Sequence, residues 1–312
     1  MQMQRERSVW DEKQPNVGTA AISSAGTRKH ATDRRFSSRK ACVQVASGRF
    51  MTVRRSLPGG DSRQIRDERS KPVGVCLFCC PSPRCDMAMK GSGEATEWKQ
   101  VGESESSVSW IAYPDERMQR ASHALTLDGD IWLIDPVDVP ELDAFLAEFG
   151  TVRGVVLLLD RHKRDCAEIA NRHGVSVWVP DFIDGVADKL DAPVERFRHE
   201  LADTGFLMDT LTDTRFWQEA FLWNEQRGVL VVPEAVGTSE YFLAGDERLG
   251  VHPMLRLLPP RKLARFEPEQ ILVGHGVGVY DQATAALLDA VSGSRARAPR
   301  LAAQTMRSVL PF

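Results

Sequence analysis

From about residue 107 the apolar residues of this chain fall into short-range order. Val108, Trp110 and Ala112 alternate with polar neighbours, as a half-buried strand requires. Residues 124–127 and 131–134 are two more strand-like runs around Asp128-Gly129-Asp130, and Asp-Gly supplies the positive φ angles of a tight hairpin turn. Pro140 suits a first helical turn, Leu142, Phe145, Leu146 and Phe149 recur at helical spacing, and Gly150 is a fitting stop. One amphipathic helix is predicted there. Residues 154–159 are then apolar without interruption, which predicts a strand covered on both faces and leading to Asp160.

A helix over about 164–173, closed by Gly174, and a buried strand over 175–179, stopped by Pro180, complete a strand-loop-helix-strand unit. Farther on, 220–223 and 229–232 bracket Asn224 to Gly228 as a second hairpin, which ends at Pro233-Glu234. Ile271-Leu272-Val273 runs into Gly274-His275-Gly276, and a helix is predicted over about 281–291. These elements predict one α/β domain over residues 96–291. Residues 292–312 read as a basic, loosely held tail. Residues 1–95 lack sustained periodicity and read as a disordered extension that buries too little apolar surface to offset its ordering entropy. Met87 or Met89, just ahead of the change in pattern, is an alternative start for the working protein.

Charge divides the chain at nearly the same place. Residues 1–90 hold 18 Lys+Arg against 8 Asp+Glu, whereas residues 91–312 hold 22 against 35. The acidic part uses only Lys99, Lys163, Lys189 and Lys262 beside its arginines. That balance suits a saline cytoplasm, where dense carboxylates keep a protein hydrated, and equally an ordinary acidic enzyme. It excludes a broad nucleic-acid or anionic-membrane footprint on the domain. No run approaches the roughly 18 apolar residues of a spanning helix, nor does a basic segment with an apolar run open the chain, so a cytoplasmic protein is expected. The sequence leaves the oligomeric state open.

Cys42, Cys76, Cys79, Cys80 and Cys85 precede the domain, which keeps only Cys166, so no disulfide framework supports it. Cys76-x-x-Cys79-Cys80-x4-Cys85 has enough thiols for zinc but lacks a second well-spaced pair, and plain disorder is the simpler reading.

Residues able to bind a metal recur just after apolar strands: Asp160 and His162, then Glu234, then His275. Strand ends hold loops in place while leaving their side chains free to converge. With the Ile134-Asp135-Pro136 turn, the strand ending Val231-Val232-Pro233-Glu234 and the late Gly274-His275-Gly276, residues 107–290 resemble the metallo-β-lactamase superfamily. That resemblance implies a four-layer αβ/βα sandwich and hydrolase ancestry. The family's H-x-H-x-D-H loop is rebuilt here as Asp160-Arg161-His162-Lys163-Arg164-Asp165, where only His162 keeps its expected identity. The family's intermediate His is absent, with Trp217-Gln218-Glu219-Ala220 in that region.

A catalytic metal needs about three protein ligands and an open position. The resemblance implies His162, Asp165, Glu234 and His275 as metal ligands, with Asp160, Arg164 and Glu219 as catalytic candidates. It implies one divalent ion, zinc in the first place with manganese or iron as alternatives, or none. A second ion is excluded by the permanent cation of Arg164. The substrate implied is a small-molecule ester, thioester or phosphoester. The alternative is an inactive relative of the fold, a scaffold or a small-anion binder in which Arg164 pairs with Asp160, Asp165 or Glu234 or holds the anion. A doubly wound α/β domain is a third reading, weakened because no glycine-rich phosphate loop follows a strand. Among the remaining residues, His123 reads as a turn residue, His173 as favourably placed at a helix C-terminus, and His199 and His252 as surface. Cys166 reads as a small buried apolar residue, and Asp135 as a support for its turn.

Overall fold

Asp128 and Gly129 both adopt positive φ, 51° and 89°, and close the predicted hairpin between β3 (Ala121–Leu127) and β4 (Asp130–Ile134). The computed structural model describes residues 89–90 and 93–309, all within one unit, Ser82–Phe312. Cys76, Cys79, Cys80, Cys85 and nearly all of the basic extension lie outside the described residues. No described helix is long and apolar enough to cross a membrane.

Seven strands form the first sheet in chain order: β1 (Lys99–Ser104), β2 (Ser107–Ile111), β3, β4, β5 (Thr151–Val156), β6 (Val177–Pro180) and β7 (Val194–Phe197). The first four run antiparallel and β4 to β7 parallel. The second sheet has β8 (Leu207–Thr214), β9 (Trp217–Asn224), β10 (Val229–Val232) and β13 (Gln270–Val273), in the order β13-β10-β9-β8. Between β10 and β13 lie the short β11 (Val236–Gly237) and β12 (Gly250–Val251), which pair with each other.

Helices α1 (Leu142–Ala147) and α2 (Cys166–His173) cover one face of the large sheet, where Leu142, Leu146, Cys166 and Ile169 pack with Leu133, Val155 and Val177. Its other face meets the small sheet: Leu125, Ile134, Val156 and Leu158 pack against Met208, Leu222, Val231 and Leu272. Helix α3 (Ala283–Val309) lies against β12 and β13. These are the four layers of the expected sandwich. Apolar side chains sealed between layers supply its main stabilisation, about 25 cal/mol for each Å² removed from water.

Two expectations change. Strand β2 is buried along its whole length, because Ser107 and Ser109 face the inter-sheet side and find partners there in Gln270 and His123. Alternation therefore marked two buried faces, one of them polar but hydrogen-bonded. The predicted helix does not stop at Val291 but continues through the supposed tail to Val309, with Pro299 inside it. Two of its arginines are held by the fold: Arg295 bonds the Leu257 carbonyl, and Arg297 pairs with Glu247 and Asp289. Ser294 and Leu301 are buried.

Candidate functional site

The convergence of the distant site residues begins with strand register. Parallel pairing sets Val232 of β10 opposite Val273 of β13, so Pro233-Glu234 and Gly274-His275 leave the sheet side by side. A Cβ on Gly274 would lie 2.2 Å from the Pro233 carbonyl oxygen and 3.0 Å from His162 Cε1, so only glycine allows this approach. Gly276, at φ 90°, then turns the chain away. His162 arrives from the first sheet on the loop after β5.

One ligand atom each from His162, Glu234 and His275 lie within 4.8 Å of one another, all three residues buried. His275 donates Nδ1–H to the Met118 carbonyl (3.1 Å), which leaves a bare lone pair on Nε2. His162 donates Nδ1–H to Asp135 Oδ2 (2.9 Å), so its Nε2 is an acceptor, with Arg164 Nη2 at the long distance of 3.5 Å. Burial, followed by charge (His162 then Arg164 for His275, and Arg164 for His162), holds both imidazoles well below the usual histidine range, and they are neutral. His275 Nε2 and Glu234 Oε2 are buried without a hydrogen-bond partner. Two orphaned acceptors and a third aimed at them make a donor set suited to a cation.

Asp135 does more than support its turn: Oδ1 accepts the Leu158 amide at 2.9 Å while Oδ2 orients His162. A carboxylate behind a ligating imidazole fixes tautomer and ring direction, and its loss weakens metal affinity about 10- to 100-fold. Asp135→Asn is expected to lower affinity for Co²⁺ within that range in calorimetric titration, with the protein still folded.

The other candidates stand elsewhere. Asp165 lies outside the cluster and accepts the Asp138 amide through Oδ2. Asp160 accepts the Gln218 amide and pairs with Arg161. Fully buried Glu219 receives the Trp217 indole N–H on Oε2 and the amides of Glu234 and Ala235 on Oε1. Burial raises its carboxyl to about 7 despite those donors. It anchors the backbone that carries Glu234.

Arg164 pairs with none of the three carboxylates expected. Nη1 donates to the carbonyls of Ala121 (2.5 Å) and Asp135 (2.6 Å), and Nη2 to that of Gly274 (3.0 Å). Nη2 also sits 3.5 Å from His162 Nε2. The guanidinium thus staples the ends of β3, β4 and β13, from a backbone held at φ 41°. A planar fork explains why arginine does this and a lysine ammonium could not. Arg164 further lines a cavity of about 680 Å³ with Tyr113, Arg120, Asp138, Asp165 and Glu168.

His252, read from its polar neighbours as surface, is buried. Its Nδ1 accepts the Met254 amide, so the proton sits on Nε2, 3.8 Å from Glu234 Oε1. It meets the Trp217 ring edge-on at 4.8 Å. The apolar flanks that bury it come from Trp217 and Phe242, distant in sequence, and no local pattern reveals them. His123 is a buried strand residue instead of a turn residue, bonded to Ser109 and to the Val273 carbonyl. Burial lowers it to about 4, so it is neutral. Cys166 is buried at the start of α2 and His199 is exposed, as expected.

No family model matches the sequence, and no curated protein matches it either. Solved structures that align with the chain are metallo-β-lactamases. DIM-1 metallo-β-lactamase exposed to ceftazidime is 12% identical, covering 66% of this chain and 99% of its own at a TM-score of 0.46. The Pontibacter korlensis metallo-β-lactamase is 14% identical, covering 64% and 99%, TM-score 0.46. The Hirschia baltica enzyme is 8% identical, covering 64% and 98%, TM-score 0.45. At such identity and scores the likeness carries no functional argument, and the chemistry below rests on this chain's own side chains.

Proposed function

We propose that this chain is a metal-dependent hydrolase of small-molecule esters, thioesters or phosphoesters, with one divalent ion held by His162, Glu234 and His275. The observation that carries the reading is the pair of orphaned buried acceptors, His275 Nε2 and Glu234 Oε2, gathered with His162 within 4.8 Å. An ion there supplies a Lewis acid for a carbonyl or phosphoryl oxygen and lowers the pKa of a water.

The protein's own groups do the rest. Asp135 and the Met118 carbonyl keep both imidazoles in the Nδ1–H tautomer, with their lone pairs inward. Glu219 holds the backbone at Glu234 and Ala235. His252, which burial lowers to about 4 and so keeps neutral, presents its Nε2–H 3.8 Å from Glu234 Oε1 and helps orient that carboxylate. In the net reaction the oxygen of water joins the acyl carbon or phosphorus, and the bond to the leaving oxygen or sulfur breaks. One proton of water ends on the departing atom. Arg164 limits the site to one ion, because its guanidinium fills the adjacent space. Its two terminal nitrogens donate to three backbone carbonyls.

Metal analysis of the full chain purified without chelator tests the reading. Close to one equivalent of zinc, manganese or iron is expected, falling to background in the His162→Ala and His275→Ala proteins. A metal-free protein that also fails to take up zinc on titration would end the proposal.

A further inference from the structure

A cavity of about 710 Å³ opens at the rim of the sandwich opposite the ligand cluster, and none of the residues that gather the ion lines it. It lies among the β3–β4 turn, the first residues of β4 and β5, and the β9–β10 turn, whereas the chain reaches His162 and Glu234 only beyond the far ends of β5 and β10. Its wall holds two tryptophans whose rings meet edge-on at 5.4 Å, Trp132 of β4 and the half-buried Trp178 of β6. Gly154, opposite Trp132 on β5, makes room for both. A Cβ there would lie 2.5 Å from Trp132 Cζ3 and 3.0 Å from Trp178 Cδ1.

Two side chains of this wall are buried yet keep donors unspent: Trp132 is 8% exposed and Asn224 is 4% exposed. Buried indoles normally find an acceptor, as Trp110 does in the Val137 carbonyl and Trp217 in Glu219. Trp132 Nε1–H has none among the described residues. Asn224 Oδ1 accepts the Arg227 amide at 3.0 Å, which leaves Nδ2 beside Gly205, another residue of the wall, with no acceptor among the described residues. Unlike His275 Nε2, neither nitrogen is sealed from solvent. Charges of both signs complete the lining. Asp130 and Arg153 pair at 2.8 Å, while Asp128, Asp203 and the Arg227 guanidinium have no ion-pair partner among the described residues.

Those charges select the ligand. An anion would face Asp128 and Asp203, and a cation would face Arg227. A neutral hydroxyl suits all of them, because it accepts from Trp132, Asn224 and Arg227 and donates to the carboxylates. We propose that this cavity binds a neutral pyranose sugar, with an apolar face of the ring against the indole wall and its hydroxyls shared between those donors and Asp203. An aromatic wall with a few fixed polar groups, in a cavity of this size, is the usual form of a small-molecule site. Binding there needs no ion at His162, Glu234 and His275, so it stands apart from the hydrolase activity.

The test titrates the full chain with cellobiose, and with sorbitol and sodium sulfate for comparison, by calorimetry and saturation-transfer NMR. Cellobiose is expected to bind with a Kd on the order of 1 mM, and saturation of aromatic protons to pass to its ring C–H groups. Sorbitol, which has hydroxyls but no ring face, is expected to bind about tenfold more weakly or worse. Trp132→Phe keeps an aromatic ring in the wall but removes the N–H, and Asn224→Ala removes Nδ2. Each is expected to weaken cellobiose binding about 3- to 10-fold, the worth of one hydrogen bond. Asp203→Asn, at an exposed position, is expected to weaken it in the same range and keeps the test decisive if the buried changes unfold the chain. The His162→Ala protein is expected to bind cellobiose as the parent does. No cellobiose binding at high millimolar concentration, sorbitol as tight as cellobiose, displacement of cellobiose by sulfate, or unaltered affinity in the cavity variants would overturn the proposal. Loss of binding in His162→Ala would also overturn it, by placing the sugar at the ligand cluster.

Discussion

Replacing Arg164 with methionine is expected to destabilise the protein by about 2–4 kcal/mol, because backbone carbonyls at the strand ends lose a charged donor. The carbonyls of Ala121, Asp135 and Gly274 would lose this charged donor, although Gly274 keeps the Ala121 amide and Asp135 the Ser122 hydroxyl, and a hydrogen bond to a charged group contributes about 1.5–3 kcal/mol. Because those carbonyls end strands of both sheets, the cost falls on the junction between sheets, and the denaturation midpoint should drop with little change in slope. Arg164→Lys is expected to recover only a small part of the loss, since an ammonium cannot reach three acceptors in two directions at once. A methionine variant as stable as the parent in urea would show that the staple does not hold the sheets.

The second large effect is expected at Glu247. Its carboxylate receives Arg256 Nη1 at 3.1 Å and Nη2 at 2.6 Å, with both side chains 1% exposed. Glu247→Ala leaves a buried guanidinium uncompensated, at a cost of about 3–5 kcal/mol. A double replacement, Glu247→Leu with Arg256→Met, should recover most of that loss, because apolar residues of similar volume often replace a buried pair without penalty. Arg256 also donates to the Phe242 carbonyl, and the Phe242 ring stacks on His275 at 5.5 Å and 22°. The Glu247→Ala protein should therefore bind Co²⁺ more weakly as well, which calorimetry would register. Stability within 1 kcal/mol of the parent, from chemical denaturation, would contradict the first expectation.

The elements legible in the sequence are those whose signals are local. The Asp128-Gly129 turn, the unbroken apolar run before Asp160, the stop at Gly174 and the hairpin ending at Glu234 each depend on a few adjacent residues. Strands β1, β7 and β8 carry no local signal, because their mostly exposed or half-buried residues show no apolar run. The helix past Val291 was hidden by its composition: Arg295, Arg297 and Arg300 suggest solvent, and only the fold shows that Leu257, Glu247 and Asp246 receive them. At the site, His162, Glu234 and His275 were found because each follows a strand that could be read. The sequence marks Arg164 as a charge and suggests carboxylate partners for it. Its real partners are backbone carbonyls, present at every residue and therefore invisible as a sequence signal. His252 needed Trp217 and Phe242 to bury it, and neither adjoins it in the chain.

Glu234 and His275 meet because β13, the last strand, pairs in parallel with β10. During synthesis, a chain that has emerged only as far as β12 can hold His162 and Glu234 but not the third donor. Such a chain presents an incomplete trap, which should release a scavenged ion readily. Tight capture must wait until the final strand slots in beside β10, among the most distant pairings in the chain and the kind that forms late. Were an ion to bind there, its entry would follow assembly of the two sheets instead of guiding it.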